Sequence, residues 1–533
     1  MPCRPPAWML LAATFTLLLR PAAGEDQPGP ARAVEWFNGA KGWLNTAEPL
    51  TRETLNGQVV LIDFWTYCCI NCMHVIPDLK YLEEKFKDQP FVVIGVHSGK
   101  FDQEKDTANI RAAVLRYGLS HPVAVDSDFA IWKRFGVHSW PTLAVIDAHG
   151  RLLGLVPGEG HRKGLEDLIA KLLAEAKADG SLAAGPLRFA PEHDDQAAAS
   201  PLLFPGKVLA DGPGHRLFIA DTGHHRVLVA DPDGAVQAII GSGKPGLADG
   251  PPSTAQFDEP QGMALSADGA TLFVCDCLNH ALRAVALSTG TVRTLCGTGE
   301  QGQDRHYSGP GAKAQLNSPW DVVRCADALF IAMAGCHQIW RYDLASGEIA
   351  VFAGTGRESA TDGDLAHSAF AQPSGLATDG TRLFVADSEA SSIRAVDITP
   401  AGRVAPLAGS GDLFGFGQAN ASGREARFQH PLGIALVGSG GGAYLAVADT
   451  YNQVLRRLDP LTGAVTSLTG TGTSKPGSAD AIGFFEPAGL SAVGDRLYVA
   501  DTNHHRIVAL ELPGLVAHVL SIRLPAGQGQ DQH

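Results

Sequence analysis

A sequence repeat that occurs six times in the C-terminal part of the chain limits what this protein can fold into. It has an early Pro-x-Gly, an apolar run that usually ends in Ala-Asp, a polar turn often containing Asn-His, and an apolar strand with an arginine. The fourth residues of successive apolar runs are 55, 57, 54, 62 and 52 positions apart. The six runs occupy 218–221, 273–276, 330–333, 384–387, 446–449 and 498–501.

Each repeat unit divides into four short strands. In the second unit we expect them at 262–265, 271–275, 282–286 and 292–296, and Gly-Ser/Thr-Gly closes five units, at 241–243, 297–299, 354–356, 409–411 and 470–472. A small sheet with two apolar faces needs neighbours on both sides, so six such units predict a six-bladed β-propeller over 202–522. The sequence at 500–507, Ala-Asp-Thr-Asn-His-His-Arg-Ile, resembles an NHL repeat.

Histidines and aspartates collect in the turns of this repeat. They could form a metal site at the propeller axis, but recurrence favours a structural role, in which the side chains cap tight turns by bonding to backbone. The third copy departs most, with Met333 in place of the aspartate. The residues are His224, His225, His280, His337, His504, His505, Asp221, Asp276, Asp387, Asp449 and Asp501.

The most informative chemical motif is Cys-Cys-Ile-Asn-Cys at 68–72. It lies between an apolar, strand-like run at 59–67 and a run with helical periodicity at 73–82. A Cys-x-x-Cys pair at such a junction suits dithiol–disulfide exchange, because the sulfurs can bond across one turn. The helix N-terminus favours the thiolate of the first cysteine.

Strands and helices alternate around this motif from 34 to 178. Further strands are predicted at 91–96, 122–125, 142–146 and 151–156, and helices at 107–117, 129–135 and 164–178. This alternation predicts an α/β domain, a central sheet covered by helices. Residues 179–201 then read as a linker and 523–533 as a tail.

The N-terminal domain resembles the thioredoxin superfamily, specifically its exported, TlpA-like branch. The resemblance rests on Asp63-Phe64-Trp65, Cys69-Ile70-Asn71-Cys72 and Pro77, on Trp140-Pro141-Thr142 as the cis-proline loop, and on the strand and helix between 91 and 117 as the branch's insertion.

The resemblance implies a role for four residues. Cys69 is the exposed attacking thiolate, Cys72 the buried resolving thiol, and Asp63 manages the proton of Cys72. Pro141, in cis, places an extended segment beside the sulfurs for the substrate. Two accessory positions, Cys68 and Trp140, receive no role. Cys68 stands where the family usually has tryptophan, so the family's redox potential cannot be transferred.

Other interpretations of the motif are weaker. A c-type haem site needs histidine directly after the second cysteine, where Met73 stands. Zinc bound by three cysteines and His74 would strain a tetrahedral site, and no second Cys-x-x-Cys follows. A structural disulfide is the remaining alternative. We therefore expect neither cofactor nor metal.

The N-terminus and the charge concern location and partners. Residues 1–24 read as a signal peptide cleaved before Glu25, with an uncleaved anchor as the alternative, so we expect a periplasmic or secreted protein. The net charge of −14 argues against nucleic acid and anionic membranes as partners.

Five cysteines lie in the repeats, an odd number, so at least one is free or pairs outside the group. These are Cys275, Cys277, Cys296, Cys325 and Cys336.

The combination of both domains resembles the family of animal NHL repeat-containing protein 2 and its bacterial relatives. The leading hypothesis is an exported thiol–disulfide oxidoreductase whose propeller docks a protein substrate or redox partner. The alternative is a non-catalytic binding scaffold with a structural disulfide. A third hypothesis is a metal-dependent lyase or hydrolase that uses the histidines at the propeller axis.

Overall fold

A computed structural model describes residues 36–193, 200–469 and 479–525. The expected signal peptide, part of the expected linker, the closing glycines at 470–472 and most of the expected tail lie outside these residues. The described chain forms two compact units, one up to His193 and one from Ser200 onward. None of the described helices is both long enough and apolar enough to cross a bilayer.

The N-terminal unit is an α/β sheet domain of the thioredoxin-like class. Its strands are β1 (Gly42–Leu44), β2 (Val59–Trp65), β3 (Phe91–His97), β4 (Val123–Val125), β5 (Thr142–Ile146) and β6 (Leu152–Pro157). Its helices are α1 (Arg52–Leu55), α2 (Ile70–Lys85), α3 (Thr107–Arg116), α4 (Ala130–Phe135) and α5 (Arg162–Asp179). The sheet order is β1-β4-β3-β2-β5-β6, with β2, β3 and β4 parallel and the other pairs antiparallel.

Side-chain alternation along β2 divides the core of this unit into two layers. Leu61 packs with apolar side chains of α2 and α5, whereas Ile62 packs on the other face with α4. The Asp63 side chain therefore points to the α2 face, and Asp63 lies beside its register partner Gly95 of β3. This places a carboxyl group in an otherwise apolar layer, below the helix that carries the cysteines.

The predicted elements of this unit are confirmed, because each has a strong apolar period. β5 covers the predicted residues, and α2 begins three residues earlier than the periodicity alone indicated. The sequence did not indicate β1 or α1, which are three and four residues long. Elements this short carry no period that can be read.

The C-terminal unit is a six-bladed β-propeller. In each blade four consecutive strands run outward from an inner strand, and the inner strands contact one another in a closed ring that ends with β29 against β7. Blade 1 contains β7 (Lys207–Asp211), β8 (Arg216–Asp221), β9 (Arg226–Ala230) and β10 (Val236–Ile240); blade 2 contains β11 (Pro260–Leu265), β12 (Thr271–Asp276), β13 (Ala281–Ala286) and β14 (Thr291–Cys296); and blade 3 contains β16 (Pro319–Cys325), β17 (Ala328–Met333), β18 (Gln338–Asp343) and β19 (Glu348–Ala353). Blade 4 contains β21 (Pro373–Thr378), β22 (Arg382–Asp387), β23 (Ser392–Asp397) and β24 (Arg403–Ala408); blade 5 contains β25 (Gly433–Val437), β26 (Tyr444–Asp449), β27 (Val454–Leu458) and β28 (Val465–Ser467); and blade 6 contains β29 (Pro487–Val493), β30 (Arg496–Asp501), β31 (Arg506–Glu511) and β32 (Val516–Val519).

Blades 3 and 4 differ from the predicted four strands. The segment entering each blade adds a short strand at the outer edge, β15 (Ser308–Pro310) against β19 and β20 (Gly363–Asp364) against β24. An outermost strand leaves its backbone groups unpaired on one side, so a passing loop can pair there without any sequence signature.

Apolar side chains fill the spaces between blades. Between blades 1 and 6, for example, buried Ile219 and Leu228 pack with Tyr498 and Ile507. Burial of apolar side chains therefore joins blade 6 to blade 1 in the same way as it joins blades that are consecutive in the chain.

Candidate functional site

Three cysteines follow the end of β2, and the structure gives them different exposure. Cys69 is the N-cap of α2, its carbonyl accepting the amide hydrogens of Cys72 (3.1 Å) and Met73 (3.2 Å). Its side chain is partly exposed, whereas Cys68 and Cys72 are buried. One sulfur of the Cys-x-x-Cys pair is therefore open to an incoming substrate and the other is protected.

The environment of Cys72 keeps its thiol protonated. Burial raises its pKa well above the usual range, and the hydrogen bond to Cys69 and the charges of Cys69 and Asp63 raise it further. Burial also raises the pKa of Asp63 to about 7, although the nearby His121 partly opposes this. A carboxyl group that titrates near neutral pH thus lies close enough to influence the thiol that must lose a proton.

The Trp140–Pro141 loop lies at the same end of the sheet as the cysteines. Antiparallel pairing of β5 with β2 sets Thr142 beside Phe64, so residues before 142 neighbour those after 64. The Trp140–Pro141 peptide is cis, and the Trp140 indole donates to the Ser98 carbonyl at 3.0 Å. The residues predicted for the site are therefore held by adjacent strands.

Glu104, which sequence reasoning missed, holds the loop that presents the cysteines. It is buried, and Oε1 accepts from the Thr66 hydroxyl (2.7 Å) and the Cys68 amide (2.9 Å). Oε2 accepts from the Phe101 amide at 2.9 Å. Cys68 thus takes part in the site through its backbone. Glu104 lies in a single 3₁₀ turn, Gln103–Lys105, which is too short to show a period, so no pattern in the sequence distinguishes it from a surface carboxylate.

His97, also missed, supports the same loop from β3. Its Nε2 accepts the Tyr67 amide hydrogen at 3.3 Å, and its ring stacks on Tyr67 with centroids 5.3 Å apart. Burial lowers the pKa of His97 to about 3, which keeps the ring neutral. The clue available in the sequence was a histidine closing an otherwise apolar strand.

The recurring histidines of the propeller join consecutive blades. Each of four histidines ends a tight turn with a positive φ, and its Nδ1 accepts an amide hydrogen from the segment that enters the next blade. The expected bonding to backbone is thereby confirmed, but the partner belongs to the neighbouring blade. The pairs are His225 with Glu259 (3.2 Å), His280 with Ser318 (3.0 Å), His337 with Gln372 (3.1 Å) and His505 with Phe204 (3.0 Å).

His224 and His504 have a different role. The Nδ1 atom of each lies 2.9 Å from the carboxylate of the blade's own aspartate, Asp221 or Asp501. No group of three or more potential metal ligands occurs among residues 36–193, 200–469 and 479–525. The propeller histidines therefore act within and between blades.

The recurring aspartates are fully buried and pair with arginines. One carboxylate oxygen accepts a backbone amide hydrogen and the other faces the guanidinium. Burial raises the pKa of Asp276 to about 7, against the opposing charge of its arginine. The pairs are Asp221–Arg226 (2.7 Å), Asp276–Arg283 (2.5 Å), Asp387–Arg394 (3.1 Å), Asp449–Arg456 (2.8 Å) and Asp501–Arg506 (2.7 Å).

Blade 3 replaces both members of this pair. Met333 takes the place of the aspartate, and Trp340, seven residues later, stands where Arg283 follows Asp276; both are buried in one apolar cluster. The joint replacement leaves no uncompensated charge, which explains why this copy tolerates its departure.

The five propeller cysteines are free thiols, and Cys325 alone among them is partly exposed. Burial raises the pKa of Cys296 and of Cys336 to about 12 and that of Cys275 and Cys277 well above the usual range. They are small side chains of the blade interiors, which suits strand packing and not nucleophilic chemistry.

Two protein families match parts of the chain. Residues 56–152 match the family described as Thioredoxin-like, and residues 484–510 match the NHL repeat. These segments contain the Cys-x-x-Cys motif and most of the sixth blade.

Relatives cover more of the chain. It is 44% identical over 514 residues to the protein SUPPRESSOR OF QUENCHING 1, chloroplastic, of Arabidopsis thaliana, which covers 93% of this chain but only 48% of that protein. It is 40% identical over 515 residues to human NHL repeat-containing protein 2, covering 90% of this chain and 70% of the relative. The N-terminal unit alone is 31% identical over 142 residues to the thiol-disulfide oxidoreductase YkuV of Bacillus subtilis, covering 26% of this chain and 94% of that protein.

Proposed function

This chain belongs to the family of NHL repeat-containing protein 2, and from that premise and its dithiol site we propose that it is a thiol–disulfide oxidoreductase acting outside the cytoplasm. Its propeller then serves as the platform that binds the protein partner. The relatives named as thiol-disulfide oxidoreductases support the reaction class, since they match the part of the chain that carries the cysteines.

The observation that carries the proposal is the unequal environment of two adjacent thiols. Cys69 is partly exposed at the N-terminus of α2, where an incoming disulfide can reach its sulfur. Cys72 is buried, has a raised pKa and is hydrogen-bonded to Cys69. A purely structural disulfide has no need of a buried carboxyl group that titrates near pH 7 beside it.

The reaction follows from these positions. The Cys69 thiolate attacks one sulfur of the substrate disulfide, so a Cys69–substrate bond forms, the substrate S–S bond breaks, and one substrate thiolate leaves. Asp63 then takes the proton of Cys72, and the Cys72 thiolate attacks the Cys69 sulfur. The Cys69–Cys72 disulfide forms, the second substrate thiolate leaves, and two electrons have passed to the substrate. An oxidised pair runs the same steps in reverse.

The interior of the propeller supports a binding role for that unit. Its recurring histidines and aspartates are engaged within and between blades, which leaves the exposed loops of the ring to contact a partner. A rigid ring with exposed loops is a common scaffold for protein recognition.

Trapping of mixed disulfides tests the proposal. Cys72→Ser should accumulate covalent complexes with partner proteins, since nothing resolves them, and Cys69→Ser should abolish reduction of insulin disulfides. Cys325→Ser, which removes a partly exposed propeller thiol, is the matched control and should behave as wild type.

Wild-type protein that neither reduces nor oxidises insulin disulfides between pH 6 and 8 would refute the proposed activity and favour the scaffold hypothesis. Location is tested separately by sequencing the N-terminus of the protein recovered from its native cells. A chain beginning at Glu25 is expected; one that retains residues 1–24 in a cytoplasmic fraction would contradict export.

A further inference from the structure

We propose that His121 and Glu83 form a route that carries the proton of the dithiol from Asp63 to the protein surface. The inference rests on the proposed function, because it concerns the proton released when Cys72 becomes a thiolate. It assigns positioning and proton-transfer roles to two residues for which the sequence predicted none.

Three polar atoms without partners among the described residues lie in the buried layer below α2. Asp63 Oδ1, Trp65 Nε1 and His121 Nε2 are all buried and have no hydrogen-bond partner among the described residues. Buried polar atoms are nearly always paired with protein or ordered water. Three such atoms on one face of the sheet therefore mark a place where a polar group is accommodated.

Gly95 explains how the Trp65 and His121 side chains come close to the strand that pairs with Asp63. Gly95 pairs with Asp63 in the parallel ladder, so both residues present the same face. A Cβ atom at Gly95 would lie 3.0 Å from Trp65 Nε1 and 3.5 Å from His121 Nε2. Val123 Cγ2 would lie 3.2 Å from the same Cβ, so a side chain at position 95 would crowd both nitrogens, and glycine lets Trp65 and His121 pack against the strand beside Asp63. The proposed route links the acid to the imidazole by a single water that accepts from Trp65 and donates to Asp63 and His121.

The other side of the imidazole fixes its tautomer. His121 Nδ1 lies 3.3 Å from the carboxylate of Glu83. A ring nitrogen facing a carboxylate carries the hydrogen, so the inner Nε2 presents its lone pair. The His121 side chain is 2% exposed and that of Glu83 is 23% exposed. The imidazole thus lies between a buried acid and a carboxylate in contact with solvent.

The remaining titratable groups near this layer do not offer the same route. His97 of β3 has its Nε2 occupied by the Tyr67 amide, and its Nδ1 is buried without a partner among the described residues. Burial lowers the pKa of His97 to about 3, so this ring does not take up a proton at neutral pH. From α2, Cys72 is the proton source, and Lys80 is directed away, donating to the Tyr117 carbonyl at 2.6 Å. The Tyr117 hydroxyl of α3 donates to the Tyr67 carbonyl at 3.1 Å.

Protons and electrons are both accounted for when the dithiol is oxidised and when it is reduced again. When Cys72 attacks Cys69, its proton passes to Asp63. Asp63 then releases a proton through the water to His121 Nε2, while the Nδ1 proton moves to Glu83 and on to solvent. The two electrons of the dithiol leave with the substrate as described above. When the disulfide is reduced again, the Nε2 proton returns to Asp63, Nδ1 takes a proton from Glu83, and the starting tautomer is restored.

Two measurements on the full-length protein test this route. The first is an infrared titration of the reduced protein, in which the carboxyl band lost in Asp63→Asn reports the protonation of Asp63. We expect His121→Gln to move its midpoint to higher pH, because the opposing influence of the imidazole is removed. The second is the rate at which oxidised glutathione oxidises the dithiol, followed from pH 5.5 to 9.

Glu83→Gln keeps the shape of the side chain and an acceptor for Nδ1 but cannot take a proton. We expect it to slow the reaction about tenfold near pH 7, with the deficit shrinking at high pH as hydroxide takes over. Glu84→Gln, on the exposed neighbour that pairs with Lys87, is the matched control. Glu83→Asp should recover part of the rate, and the unfolding midpoints of Glu83→Gln and the control should agree.

The route is overturned if Glu83→Gln matches Glu84→Gln at every pH, or if His121→Gln leaves the Asp63 midpoint in place. A wild-type dithiol inert to all disulfides would instead refute the proposed function. The infrared titration uses chemically reduced protein and needs no turnover, so it still decides whether His121 is coupled to Asp63.

Discussion

At the scale of single residues, Asp63 connects reactivity with stability. Its carboxyl group is fully buried beneath α2, and this burial raises its pKa to about 7 from an ordinary value near 4. Between these values the native protein binds more protons than the unfolded chain. The free energy of unfolding therefore falls as the pH rises from 4 to 7, and Asp63 remains a destabilising charge above that range.

This predicts that Asp63→Asn stabilises the N-terminal unit at pH 8 by up to about 4 kcal/mol, and by little at pH 4. Urea unfolding at both pH values, followed by tryptophan fluorescence, measures the difference. Asp102→Asn, at an exposed carboxylate of the same unit, is the control and should change little at either pH. Equal stability of wild type and Asp63→Asn at pH 8 would contradict a buried titrating carboxylate.

Other residues of the site show why the sequence reveals only part of it. Cys69, Cys72 and Asp63 could be assigned roles because they lie within a few positions of each other in a recognisable motif. Glu104, His97, His121 and Glu83 come from four separate segments of the chain. Only the pairing of β2, β3 and β4 and the packing of α2 bring Glu104 and His97 to the loop that carries the cysteines and His121 to Glu83.

At the scale of elements, an Asp–Arg ion pair recurs in every blade except blade 3. Five blades form an ion pair on a fully buried aspartate, and in blades 2, 4 and 5 the arginine is buried as well. Blade 3 instead buries Met333 and Trp340 at the positions that the aspartate and arginine occupy in those three blades. Removing one partner of a buried pair leaves an uncompensated charge, but removing both leaves only a change in packing.

We therefore expect Asp449→Met alone to cost roughly 3–5 kcal/mol of stability, since it leaves Arg456 buried without its carboxylate partner. The double substitution Asp449→Met with Arg456→Met should recover a large part of that loss. A double-mutant cycle by urea unfolding gives the coupling between the two positions. Additive effects of the single substitutions would show that the pair is not an energetic unit.

At the scale of the whole molecule, closure of the propeller depends on contacts between its first and last blades. Each blade consists of consecutive strands, and none of the described strands is exchanged between the ends of the ring. His505 of blade 6 instead accepts the Phe204 amide hydrogen, and Arg523 pairs with Ala235 of blade 1. Across the centre, Lys207 of blade 1 reaches Asp321 of blade 3 and backbone carbonyls of blades 4 and 5.

This arrangement predicts different effects for two chemically identical substitutions. His337→Ala and His505→Ala each remove one bond between blades, worth about 1 kcal/mol. Blades 3 and 4 remain joined by the chain, whereas blades 6 and 1 do not, so His505→Ala should increase hydrogen exchange in both β7 and β29. His337→Ala should change exchange only around its own turn. Identical exchange patterns would show that His505 does not contribute to closure.

The sequence by itself determined the two folds, because strand and helix periods and the six-fold repeat are local patterns that burial enforces. It also determined the dithiol motif and the structural use of the histidines. Only the tertiary structure decided which blade each histidine joins and which carboxylate and imidazole groups surround the cysteines. Those relations depend on contacts between residues far apart in the chain, which no local pattern records.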